Sequence, residues 1–218
     1  DGDVRTCTEA EMGMHLVESQ VRGNLLLGPY AEKDTVCVMD AASTSSGEVS
    51  CYGLGRVQQH RPPMDPFSVQ SLPCYGGGDV HLEPGAYDGL LASDTTLHLR
   101  GGSYYFKGKV SLYGCRVLLE EPCRPVQIYV GRAFVADRCE INPDTYGSNR
   151  CWPLVDGVRQ ETPGTPEVTG GIPEGLHLLV CGEGSRDDIC DVMLTSSRAW
   201  MVVTGHSAQV RMSNSTFH

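Results

Sequence analysis

DVHLEPGAYDGLLASDTTLHLRGGSYYFKGKVSLYGCRVLLEEPCRPVQIYVGRAFVADRCEIN, Asp79 to Asn142, decides the fold. One short phrase recurs in it with variations: His81 and Leu82 are answered by His98 and Leu99, Glu83 by Arg100, Gly85 by Gly102 and Tyr87 by Tyr104. Apolar residues alternate through Val80 and Leu82, Leu97 and Leu99, Tyr104 and Phe106, Val110 and Leu112, Val117 and Leu119, then Val126, Ile128, Val130 and Phe134. Alternation with period two gives each short strand one apolar face. No helical stretch separates the strands, so a βαβ sheet is disfavoured. Short strands joined by Gly-containing corners predict an all-β fold, a right- or left-handed β-solenoid (β-helix) whose coils stack along an axis.

Working outward, the pattern resumes after a break as EGLHLLVCGEG and CDVMLTSSRAWMVVTGHSAQVRMSNSTFH, so 79–218 is predicted to be solenoid, with the Pro/Gly/Thr-rich segment 143–174 as a loop insertion. Residues 1–36 read as an N-terminal arm or short helix: Met14, Val17 and Val21 stand at near-helical spacing, and Thr8 with Glu11 has the form of a capping box. The competing reading is an extended arm able to add as a strand to a neighbouring subunit. Residues 37–78 read as a strand pair, TVCVMD and CYGLGRV, then a Pro/Gly-rich linker or end cap, the other loop excursion.

A formal charge of −10 with 17 scattered Lys and Arg in 218 residues disfavours a nucleic-acid partner, which needs clustered cations. No segment has the ~18 to 20 consecutive apolar residues needed to cross a bilayer. The sequence opens at Asp1 without a leader pattern, and the expectation is that any leader has been removed or lies outside it. Ten cysteines without a C-x-x-C knuckle point to disulfides rather than zinc, and hence to an extracellular protein. Cys37 with Cys51, Cys115 with Cys123, Cys139 with Cys151, and Cys181 with Cys190 are close enough in sequence to close short loops or tie coils, leaving Cys7 and Cys74 for a fifth bond.

Gly102, Tyr104 and Phe106, then Val110, Leu112 and Gly114, then Pro125, Val126, Ile128, Tyr129, Val130 and Gly131, and finally Ile141 and Asn142 follow the pattern of a known domain. The chain resembles the repeated β-helix domain of exported bacterial pilus-associated proteins of the Tad/Flp and type IV pilus-assembly kind, over roughly residues 79 to 142 and 175 to 218. The resemblance implies a surface or appendage role without known catalysis. Cys115 and Cys139 depart from it, standing where the family carries the Asn of a Gly-Asn-Ala turn, which implies disulfides in place of an inward Asn ladder.

Other chemistry is sparse. His81, His98 and His177 each sit between apolar neighbours, so each is expected on the outer face as an exposed ladder histidine, with no metal or other cofactor. Glu83 over Arg100 is expected as a surface ion pair between coils. Asp79, Glu83, Asp88 and Asp94 are the only concentrated carboxylates on the coils, and the sequence does not fix the separation that glycoside hydrolysis would need. Asp187, Asp188 and Asp191 lack the spacing of a calcium loop. Trp152 is a candidate ligand contact, and Asn214 heads a glycosylation sequon. The expected function is structural: a self-assembling subunit or tip component of an extracellular bacterial appendage, partnered by copies of itself or other subunits. A glycan-binding adhesin, then a β-helix polysaccharide lyase or hydrolase, are the alternatives.

Overall fold

The computed structural model describes residues 2–6, 13–27, 37–51, 69–121, 124–143, 154–155, 158–159, 175–180, 192–205 and 208–218. All their elements are strands. The N-terminal part contributes β1 (Val4–Thr6), β2 (Met14–Val17), β3 (Gln20–Val21), β4 (Leu25–Leu27), β5 (Cys37–Met39), β6 (Thr44–Ser45) and β7 (Val49–Cys51). There follow β8 (Tyr75–Leu82), β9 (Gly85–Tyr87), β10 (Leu90–Leu99), β11 (Gly102–Phe106), β12 (Val110–Tyr113), β13 (Arg116–Leu119), β14 (Val126–Val130), β15 (Phe134–Asp137) and β16 (Glu140–Ile141). A two-stranded antiparallel hairpin, β17 (Leu154–Val155) and β18 (Val158–Arg159), lies inside the expected loop insertion. The last strands are β19 (Leu176–Val180), β20 (Val192–Thr195), β21 (Arg198–Ala199), β22 (Val202–Gly205), β23 (Val210–Ser213) and β24 (Thr216–Phe217).

Among the described residues, all pairings other than that hairpin are parallel, as in a solenoid. One eight-stranded sheet runs β7-β4-β1-β22-β19-β14-β11-β9. The other two faces form a single 14-stranded sheet, because β10 bends at Asp94 and its halves pair with β12 and β13 respectively. Each full coil therefore has three strands, one per face, for example β12, β13 and β14. The predicted inward residues fill the interior: Leu82, Leu97, Leu99, Tyr104, Phe106, Val110, Leu112, Val117, Leu119, Val126, Ile128, Val130 and Phe134 are all buried.

Coil order is not chain order. β1 pairs on one side with β22 and on the other with β4, while β2 pairs with β23 and β3 with β24. The N-terminal strands thus continue the stack beyond β24, and β1 supplies the third side of a coil begun by β23 and β24. The short helix considered for this region is corrected: residues 14–17 and 20–21 are strands, with Met14, Leu16 and Val21 buried in the common core. Their apolar spacing fits period two across a corner as well as period 3.6, and burial against coils on both sides settles which is used. Thr8 and Glu11 lie outside the described residues. The tail of the expected linker is also corrected, since Gly76–Gly78 belong to β8 and pair alongside β10, with Gly77 and Gly78 at positive φ in open space.

One corner repeats through the stack. A residue with left-handed φ (Asp94, Gly114, Arg138, Ser196, Asn214, Glu18) precedes a buried small polar residue (Thr95, Cys115, Cys139, Ser197, Ser215, Ser19). The backbone N–H of Cys115 donates to Cys139 Sγ (3.4 Å), that of Cys139 to Ser197 Oγ (3.0 Å), and that of Ser197 to Ser215 Oγ (3.1 Å). The ladder crosses into the N-terminal coils as Ser215 N–H to Ser19 Oγ (3.2 Å) and Ser19 N–H to Ser43 Oγ (3.1 Å). Each bond satisfies a donor that the corner would otherwise bury unpaired.

Cysteine placement overturns the disulfide staples where it is described. Cys115 and Cys139 are thiols, stacked on each other at this inward corner, and each S–H faces the carbonyl two residues back, Tyr113 (3.4 Å) and Asp137 (3.3 Å). Both side chains are turned into the interior and neither is in a disulfide, whereas the partners suggested for them, Cys123 and Cys151, lie outside the described residues. Cys74 is an exposed thiol, and Cys37 is half-buried at the start of β5. Of Cys51 only the backbone is described, and Cys7, Cys123, Cys151, Cys181 and Cys190 lie outside the described residues.

Candidate functional site

Two places concentrate what this solenoid offers a partner. The first is the outer face of the end formed by β8, β10 and β13. Parallel pairing of β8 with β10 puts His81 directly beside His98, and their rings stack with centroids 4.5 Å apart and planes 12° from parallel. Glu120 follows β13 in the next coil, anchored by its N–H to Leu99 O (2.9 Å), and its carboxylate contacts His81 Nδ1. Asp79 Oδ1 lies 3.6 Å from His98 Nε2 on the other side. Beyond them Arg100 bridges Glu83 and Glu121, at 3.3 Å from each, which is the expected Glu83–Arg100 pair with a second carboxylate added.

The echo of Gly-x-Tyr is real in chemistry but not in register. Tyr87 Oη donates to Glu83 O (2.5 Å), and Tyr104 Oη lies 2.8 Å from Arg100 O, so each phenol closes the corner four residues before it. In the sheet, however, Tyr87 sits beside Phe106 with rings 5.5 Å apart, and Tyr104 beside Gly85. The second coil is wider at that corner because Gly101 and Gly102 extend it. A Cβ on Gly102, at φ 142°, would stand 2.7 Å from Pro84. Burial raises the pKa of both phenols.

The second place is the junction between the C-terminal and N-terminal coils. Val4 aligns with Val203, Met14 with Val210, and Phe217 with Val21, all buried. Gly2, Gly23 and Gly47 stack in successive coils so closely that a Cβ on Gly23 would lie 1.6 Å from Gly2 O, and one on Gly2 would lie 2.0 Å from His218 O. Trp200 and His218 stack across the same corner at 4.4 Å and 10°. Burial, then the cations of Arg22 and Arg198, pushes the His218 imidazole down to about 4. Asp3 accepts from the backbone and side-chain amides of Asn24 (3.1 and 2.9 Å) and pairs with Arg5 (3.1 Å). Its pKa is lowered: burial raises it, but those bonds outweigh that effect.

The other predicted residues are dispersed. His177 is on the eight-stranded sheet, away from the other two histidines, and bonds Thr204 Oγ1 (3.0 Å). Among the four carboxylates, Glu83 is engaged by Arg100 and Asp79 neighbours His98, while Asp88 and Asp94 stand exposed at separate corners. Asn214 is exposed at its corner. Trp152, Asp187, Asp188 and Asp191 lie outside the described residues. The junction was missed in the sequence, although Glu18-Ser19-Gln20-Val21-Arg22 carries the same corner text as Ser196-Ser197-Arg198-Ala199-Trp200. No protein-family model, curated protein or solved structure matches this chain.

Proposed function

We propose that this chain is a structural subunit of an extracellular bacterial appendage, assembling by coil stacking. One observation carries the reading: β1–β4 dock on β22–β24 as successive coils, through ladder bonds and apolar side chains, between segments far apart in sequence. The coil faces of this protein are therefore self-complementary, and a face that accepts another coil from its own chain has the chemistry to accept one from a second copy. At the two ends, β6 and β7 on one side and β8 on the other have no second strand neighbour among the described residues, and open parallel edges of this kind template addition. The appendage setting rests on the resemblance of the Gly102–Asn142 text to pilus-associated β-helices. Glycan binding and glycan cleavage stand behind it, because Glu83 and Glu121, the carboxylates that come together on the coils, are both tied up by Arg100.

Electron microscopy of the purified chain at rising concentration tests this. Fibres of solenoid width, with an axial repeat near one stack of about 38 Å for eight coils, are the expected result. Monodisperse single chains at all concentrations contradict it.

A further inference from the structure

We propose that His81, His98 and Glu120 form a site for a divalent transition-metal ion of the zinc or copper class, which clamps the end coil to the next two. One ligand atom from each lies within 4.8 Å of the other two, and the three residues come from three successive coils. Around an ion bound at about 2.0–2.1 Å, donor atoms stand roughly 3.3 Å apart, so closure needs side-chain motion on the order of 1 Å and no backbone change. His81 can supply it: its side chain is 67% exposed, and a turn of its ring out of the stack brings its lone pair towards the nitrogen of His98, whose side chain is only 15% exposed and held in place.

Two imidazoles and one carboxylate suit zinc or copper rather than calcium or magnesium, and the exposed side leaves room for water as the remaining ligand. Asp79, beside His98 Nε2, is placed as the carboxylate partner that orients a coordinating imidazole. Charge favours a cation, since Asp79, Glu83, Glu120 and Glu121 surround the place, while the nearby Arg100 is already engaged by Glu83 and Glu121. The competing state of the same residues is a surface ring stack with a His81–Glu120 hydrogen bond. It binds no ion, so titration separates the two. The site is independent of assembly, because all three ligands belong to one chain.

The experiment is calorimetric titration of the chelator-stripped full chain with zinc chloride, and separately with copper(II) chloride, on wild type and on His81→Asn, His98→Gln, Glu120→Gln and His177→Gln. Expected is one ion per chain, lost in the two variants of the paired histidines, weakened roughly tenfold or more in Glu120→Gln, and unchanged in His177→Gln. Amide exchange of residues 75–82 should slow when the ion is added to wild type and stay unaffected in His81→Asn, a readout that also shows the variant to be folded. No saturable binding below about 1 mM, or binding that survives in His81→Asn/His98→Gln, overturns the site.

Discussion

At the scale of single residues, the corner ladder explains why Ser, Thr and Cys interchange at one position. All three present a small side chain that accepts from the backbone N–H of the neighbouring coil and donates to the carbonyl two residues back. Burial pushes the Cys139 thiol up to about 11, so almost none of it is thiolate at neutral pH. Native protein treated with a thiol-specific alkylator should modify Cys74 quickly, and Cys115 and Cys139 only after denaturation, as read by peptide mass spectrometry. Early labelling of Cys139 would contradict the ladder. The inward position of Cys115 and Cys139 was legible from the resemblance, but their oxidation state was not. Nearness in sequence, which suggested the staples, carries no information on where a side chain points.

Among elements, the strands of 79–142 were legible because alternation and the Gly corners agree, and every inward residue predicted after Val80 is buried. Residues 14–27 were not, because two short strands separated by a corner place apolar residues at spacings shared with a helix. The left-handed residue followed by Ser, Thr or Cys is the signal that would have resolved them. That junction also gives the sharpest elemental prediction. Gly23→Ala puts a Cβ into Gly2 O, backbone against backbone, so the N-terminal coils cannot stack closely. We expect a loss of about 2 kcal/mol or more in unfolding free energy. Amide exchange should become faster in residues 2–27, with protection in 97–130 retained. By contrast, Ser196→Gly relieves a left-handed non-glycine corner and should be neutral or stabilising by up to about 1 kcal/mol in denaturant unfolding.

For the whole molecule, the stack closes on a junction whose ionisable groups weaken it in acid. The folded state holds His218 neutral down to about 4, whereas the unfolded chain takes up the proton near 6.5. The unfolded state binds more protons between those values, so stability is full above about 6.5 and falls as pH drops towards 4. Asp3, with its lowered pKa, extends the loss below the usual carboxylate range. Replacing His218 with Phe should flatten the upper part of that pH profile in thermal melts and leave the acid limb in place. The solenoid class was readable from sequence because it follows from local alternation. The coil order was not, because it depends on which of several similar faces meet, and their texts are nearly interchangeable.

The most direct test of the junction is a photo-crosslinker placed at Arg5, which aligns with Thr204 and Leu26. Equal amounts of isotopically heavy and light chains are mixed after unfolding and refolded together, and the adducts are mapped by mass spectrometry. The account predicts adducts within residues 202–205 and 25–27 that join positions of one chain, heavy to heavy or light to light, at every concentration. Adducts confined to other parts of the chain, or heavy–light links to 202–205 as frequent as links within one chain, would contradict the junction.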